Sequence, residues 1–128
     1  MITTPEAPFM KTILIVDDYR PMLLFEKRVL IKGGFDILEA EDGAAALEIA
    51  KAKLPDLIIS DVKMDNLNGF MLIERLRDDP VMAKIPVILV TGEAQNAGMW
   101  DSDRSIGYLR KPVSPEQLLS AVEKCFNS

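Results

Sequence analysis

The stretch "LIISDVKMDNLNG", residues 57–69, decides how this chain folds. Three apolar residues, Leu57, Ile58 and Ile59, close on Ser60 and then on an acid, Asp61; a second acid, Asp65, follows before Gly69. A short β-branched run bounded by turn residues fits a strand buried on both faces. Such strands belong to parallel sheets, and open parallel sheets bind ligands outside the carboxyl ends of their strands. The acid at this strand's end therefore stands where a ligand would be met.

The same alternation repeats on both sides. "TILIV" at 12–16 is a continuous apolar strand, and "FDILEA" is a weaker one expected nearer an edge. "PVILVT" at 86–91 is the fourth strand and "GYL" at 107–109 a short fifth. Between them lie helical patterns. Met22, Phe25 and Val29 form a stripe closed by Gly33-Gly34, a C-cap signal. Asp42 is the expected N-cap of a helix over Gly43–Lys53, with Ala46, Leu47, Ala50 and Leu54 on one face. The helix after Gly69 is expected to bury Phe70, Ile73 and Leu76 and to end at "DDP". "SPEQ" at 114–117 offers a serine cap, a proline at the first helical position and a glutamine at the capping-box position, with Leu118, Leu119, Val122 and Phe126 forming the apolar face behind it. Residues 93–105, with poor periodicity, are expected to form a short, irregular or mobile helix. Alternation of this kind with short connections predicts an α/β domain, its parallel sheet covered by helices on both faces.

Bulk properties narrow the function. With 128 residues, 48% hydrophobic and 27% charged, the chain reads as one globular domain over residues 11–128, with residues 1–10 a loose extension; Met10-Lys11 offers an alternative start. Fifteen basic residues against 20 acidic ones, a net charge of −5, argue against direct nucleic-acid binding. No apolar run reaches membrane-spanning length, and the N-terminus lacks the order of a signal peptide. The lone Cys125 allows no internal disulfide, so a cytoplasmic location is expected, and Cys125 itself is read as a buried filler. The absence of histidine excludes histidine-based triads, histidine-ligated zinc and a phosphohistidine carrier.

The polar residues that end the central strands should converge: Asp17 and Asp18 after the first, Asp61 after the third, Thr91 at the end of the fourth, Arg110 and Lys111 after the fifth. Any one alone is unremarkable, since a loop acid usually caps a helix or faces water. Two carboxylates about 4 Å apart repel by roughly 4 kcal/mol at an effective dielectric near 20, so three together need a cation or raised pKa values. Oxygen ligands without histidine or cysteine suit Mg²⁺, which takes one or two carboxylates and a phosphoryl oxygen. Lys111 can balance the remaining charge and Thr91 can donate to a phosphoryl oxygen. The set describes a cradle for a transferring phosphoryl group with a carboxylate nucleophile.

At this point the chain resembles the receiver (CheY-like) domain of two-component response regulators. The resemblance runs from about Lys11 to Phe126 and is carried, in order, by "ILIVDD", "LIISDVKM…G", "VILVTG" and "YLRKP". It implies a flavodoxin-like, doubly wound five-stranded parallel sheet in the order 2-1-3-4-5 with five helices. It further implies Asp61 as phosphoacceptor; Mg²⁺ held by Asp17, Asp18, Asp61 and the backbone carbonyl of Lys63; and Thr91 and Lys111 on the phosphoryl oxygens. Tyr108 matches the aromatic switch that moves with Thr91, Lys63 and Glu93 take the variable positions that tune rates, and the Lys111-Pro112 peptide is expected to be cis. The implied partners are a sensor histidine kinase or phosphotransfer protein and an output protein or C-terminal output domain, with a phosphorylation-dependent dimer as a further option. The protein would catalyse only its own phosphorylation and dephosphorylation. One departure stands out: Asp65 occupies the place of the family's usual loop proline.

Two other readings are open on sequence grounds. A phosphorylation-independent interaction module would keep the fold and signal by constitutive binding. An aspartyl phosphatase would need a second acid two residues after the nucleophile, where this chain has Lys63.

Overall fold

Strands β1 (Thr12–Val16), β2 (Asp36–Ala40), β3 (Leu57–Asp61), β4 (Val87–Thr91) and, after a two-residue β5 (Trp100–Asp101), β6 (Ile106–Arg110) share one sheet in the computed structural model, which describes residues 10–64, 67–92, 100–101 and 105–127. The five long strands are parallel and ordered β2-β1-β3-β4-β6, the 2-1-3-4-5 order expected, with β2 at the edge. Residues 93–105 differ from expectation in their described part. Trp100 and Asp101 pair antiparallel with Gly107 and Ile106, so the far edge carries a short added strand. The described residues hold four α-helices, α1 (Arg20–Lys32), α2 (Gly43–Lys53), α3 (Gly69–Arg77) and α4 (Pro115–Asn127), rather than five.

Strand pleating sends alternate residues to opposite faces, and the two faces have different cores. Ile13 and Ile15 of β1 join Leu23 and Leu30 of α1 and Leu118 and Val122 of α4. Leu14 and Val16 join Ala46 and Ala50 of α2 and Leu72, Ile73 and Leu76 of α3. Every residue of β3 is buried, which is why Leu57, Ile58 and Ile59 are apolar in a row instead of alternating. Each fully buried Leu or Ile contributes about 1.5–3 kcal/mol.

Local signals place the helix ends. Asp42 caps α2 through Ala45 N–H at 2.8 Å, and Asn68 caps α3 through Met71 N–H at 2.9 Å. Ser114 and Gln117 form the reciprocal capping box: Gln117 N–H donates to Ser114 Oγ at 3.0 Å, and Ser114 N–H to Gln117 Oε1 at 2.9 Å. After α1 the chain turns at Gly34, whose φ of 94° is open to glycine at little cost.

Three expected faces shift. Leu23, Glu26 and Leu30 are the buried residues of α1, one position on from the Met22, Phe25 and Val29 stripe, which is only half-buried. Phe70 is 53% exposed: Gly69 is the residue pressed against β3, and each helical step turns about 100° away from it. Leu54 has left α2, sitting in a left-handed conformation as its C-cap and exposed. Cys125 is half-buried on α4, and burial pushes its thiol up to about 11.

Candidate functional site

Sheet register assembles the site. Val16 pairs with Ser60, so the next residues, Asp17 and Asp61, leave their strands side by side. Asp61 pairs with Val90, and Thr91 pairs with Arg110, which brings Lys111 to the same edge. Lys111 N–H donates to the Thr91 carbonyl at 2.9 Å. From there its long side chain passes the end of β4 to reach β3, and Nζ meets Asp61 Oδ1 at 2.9 Å. The Lys111-Pro112 peptide is cis, as expected.

Asp17, Asp18 and Asp61 each present a carboxylate oxygen within 4.8 Å of the others. Asp17 and Asp61 are buried, whereas Asp18 is exposed, so the trio opens to solvent on one side. Asp17 is fixed from below and beside: its N–H donates to the Ala40 carbonyl at 3.2 Å, and its Oδ1 accepts Tyr19 N–H at 2.9 Å. Burial raises the Asp17 pKa above the usual carboxylate range, opposed by the Tyr19 N–H and reinforced by the charge of Asp61. Burial also works against the Lys111 charge, but the hydrogen bond and charge of Asp61 outweigh it and hold the ammonium above its ordinary value. Oxygen-only donors, convergent and partly water-facing, fit a single hard divalent cation such as Mg²⁺.

The end of β3 is held from two further directions. Buried Ser60 donates from Oγ to the Asp61 carbonyl at 2.9 Å. Gly69 begins α3 so close that a Cβ there would lie 2.7 Å from the Asp61 carbonyl oxygen and 2.9 Å from Leu89 Cδ2. The glycine that closes the opening stretch is thus a packing requirement, and it seats α3 directly behind the acid.

Other residues singled out in the sequence sit as follows. Thr91 is half-buried at the end of β4, in line with Asp61 and Lys111. Lys63 is exposed and lines a cleft of about 350 Å³ with Asp18, Val62, Met64 and Asn68. Tyr108 is half-buried in β6, opposite Leu89, packed against the core on the α2 and α3 side. Asp65 and Glu93 lie outside the described residues.

One residue near the site was not anticipated. Glu26 of α1 is 2% exposed, its Oε1 has no hydrogen-bond partner, and it feels the charges of Asp17, Asp61 and Lys111. The signal was present: Leu23, Glu26 and Leu30 have the spacing of a buried stripe, with an acid in its middle.

Comparison with known proteins agrees with this arrangement. Residues 13–123 match the family described as response regulator receiver domain. Protein PilH of Pseudomonas aeruginosa is 36% identical over 115 residues, covering 88% of this chain and 95% of that protein. Response regulator PleD of Caulobacter vibrioides is 34% identical over 113 residues, and histidine kinase P4 of Formosa agariphila 45% identical over 83. The chain spans only 25% of PleD and 6% of the kinase. Among solved structures, the chemotaxis response regulator CheY4 of Vibrio cholerae superimposes with a TM-score of 0.82 at 29% identity, over 91% of this chain and 98% of that one. The strand order, the carboxylate edge of the sheet and these likenesses all lead to the same place: this chain belongs to the response regulator receiver domain family.

Proposed function

We propose that the protein is a phosphorylation-controlled switch whose acceptor is Asp61. The observation that carries the reading is the pairing of a buried Asp61 carboxylate with Lys111 at 2.9 Å, inside a trio of acids that converge at the sheet edge. Asp17, Asp18 and Asp61, with the Lys63 carbonyl, would hold Mg²⁺, which supplies charge neutralisation for an incoming phosphoryl group. A partner kinase or phosphotransfer protein presents a phosphohistidine. An Asp61 oxygen attacks phosphorus, the phosphorus–nitrogen bond breaks, and the donor imidazole leaves with that electron pair. Lys111, already hydrogen-bonded to Asp61, holds one phosphoryl oxygen, and Thr91 donates to another. A dianionic acyl phosphate replaces a monoanionic carboxylate, and that change in charge biases the surface read by an output partner or domain. Tyr108, which lies opposite Leu89 on the neighbouring strand, would follow a shift of Thr91.

A phosphorylation-independent module has less support, because three crowded carboxylates are a standing electrostatic cost that such a module does not need. A small-molecule phosphodonor with Mg²⁺ should label the wild type and leave Asp61→Asn unlabelled; equal labelling of both overturns the assignment.

A further inference from the structure

The turn that joins β2 to α2, Ala40–Gly43, reaches both sides of the acidic edge. Ala40 ends β2 opposite Val16, and its carbonyl accepts the Asp17 N–H at 3.2 Å. Gly43 opens α2 and is pressed against Leu67: a Cβ there would lie 2.5 Å from the Leu67 carbonyl oxygen and 2.7 Å from Leu67 Cβ. A residue without a side chain is what lets the two backbones come this close. Asp42, between them, caps α2 through Ala45 N–H at 2.8 Å, so the turn is tied to the helix it starts. Leu67 in turn belongs to the stretch that follows Asp61. There Val62 N–H donates to the Val90 carbonyl at 3.1 Å and Gly69 N–H to the Val62 carbonyl at 3.0 Å. Leu67 is buried in the same core as Ala46 and Ala50 of α2 and Leu72 of α3. Lys63 follows Val62 directly in that stretch.

We propose that this turn positions the cation site: holding Asp17 through Ala40 and abutting Leu67 through Gly43, it sets the spacing between the acids after β1 and the Lys63 carbonyl after β3. The inference rests on reading Asp17, Asp18, Asp61 and that carbonyl as the holders of Mg²⁺. Residues 40–43 are not ligands; they act through the segments they touch. Mg²⁺ requires a near-octahedral shell at short distances, so a displacement of about 0.5 Å weakens its binding, whereas Ca²⁺ accepts longer and less regular contacts. A close-packed interior passes such a displacement on instead of absorbing it. Gly43 is the sensitive point, because the atom nearest an added Cβ is a backbone oxygen that cannot rotate aside. Gly33 supplies the contrast. A Cβ there would meet Leu119 Cδ2 at 2.9 Å, the end of a side chain, and Gly33 follows α1 at the end of that helix remote from Asp18.

The test is calorimetric titration of the full chain, of Gly43→Ala and of Gly33→Ala with MgCl₂ and, separately, with CaCl₂. Gly43→Ala should bind Mg²⁺ about tenfold more weakly than the wild type and lose less of its Ca²⁺ affinity. Gly33→Ala should stay within about twofold of the wild type for both ions. Equal Mg²⁺ affinity in Gly43→Ala and the wild type overturns the role of the turn and leaves the cation site standing. An equal loss in Gly33→Ala also overturns it, since the effect would then be a general loosening of the fold. No Mg²⁺ binding by the wild type overturns the cation reading and this inference with it. Should Gly43→Ala fail to fold, Leu67→Ala removes the other half of the contact. Weaker Mg²⁺ binding with Ca²⁺ less affected is expected there, and unchanged Mg²⁺ binding overturns the proposal.

Discussion

Among the described residues three acids are buried, Asp17, Asp61 and Glu26; Asp61 at the end of β3 and Glu26 on the inner side of α1 differ in their surroundings in one respect. Asp61 has a cation: Lys111 meets it at 2.9 Å, and Ser60 and Gly69 fix the backbone beneath it. Glu26 has none, and burial pushes its carboxyl up to about 8. The same functional group is therefore ion-paired in one place and left with an unpartnered oxygen in the other. A paired carboxylate keeps its charge in a buried site; an unpaired one surrenders it.

The comparison can be broken most severely at Asp61 itself. Asp61→Asn should remove all labelling by a small-molecule phosphodonor while the circular dichroism spectrum stays that of the folded wild type, because the amide keeps the shape and loses the nucleophile. Lys111→Met comes next, since it turns Asp61 into a second orphan. It should lower stability by about 1–3 kcal/mol at pH 7 in denaturant unfolding and slow phosphorylation. Gly69→Ala tests the backbone support: a Cβ 2.7 Å from the Asp61 carbonyl oxygen forces α3 away from β3, with an expected loss of about 1–3 kcal/mol in the same assay.

The Glu26 side of the comparison is sharpened by pH. Its folded pKa of about 8 lies above the ordinary 4.5, so between those values the folded chain binds more protons than the unfolded one. The contribution of this group to stability is therefore full below about 4.5 and declines as pH rises toward 8. Glu26→Gln should flatten that decline, which thermal unfolding across pH 5–8.5 will register. The smallest effect expected is at Lys63, exposed beside Asp18: Lys63→Ala should change the decay of the phosphorylated form more than its formation, as single-turnover labelling and chase would show.

Much of this was legible in the residues. The buried strand "LIIS" needed only composition, and the ends of α2 and α4 needed only Asp42 and the Ser114–Gln117 pair, because caps are contacts within a few residues. The helix faces were less legible. On α1, stripes one residue apart both have helical spacing, and only packing shows that the one containing a glutamate turns inward. On α3, Phe70 looked like core until Gly69 was seen to take the inward place. The pairing of Trp100–Asp101 with β6 had no local signal, since an edge strand of two residues depends on the neighbour that receives it.

The sequence by itself determined the alternation of strands and helices, the excess of acid, the lack of histidine and the identity of the residues that end each strand. Those are properties of single residues and of their near neighbours along the chain. Only the tertiary structure decided that Lys111 reaches past β4 to Asp61, that Gly69 is pressed against that acid's carbonyl, and that Glu26 is buried on the inner side of α1. Those facts arise from register between strands distant in sequence and from the face a helix turns inward, and both are fixed by packing.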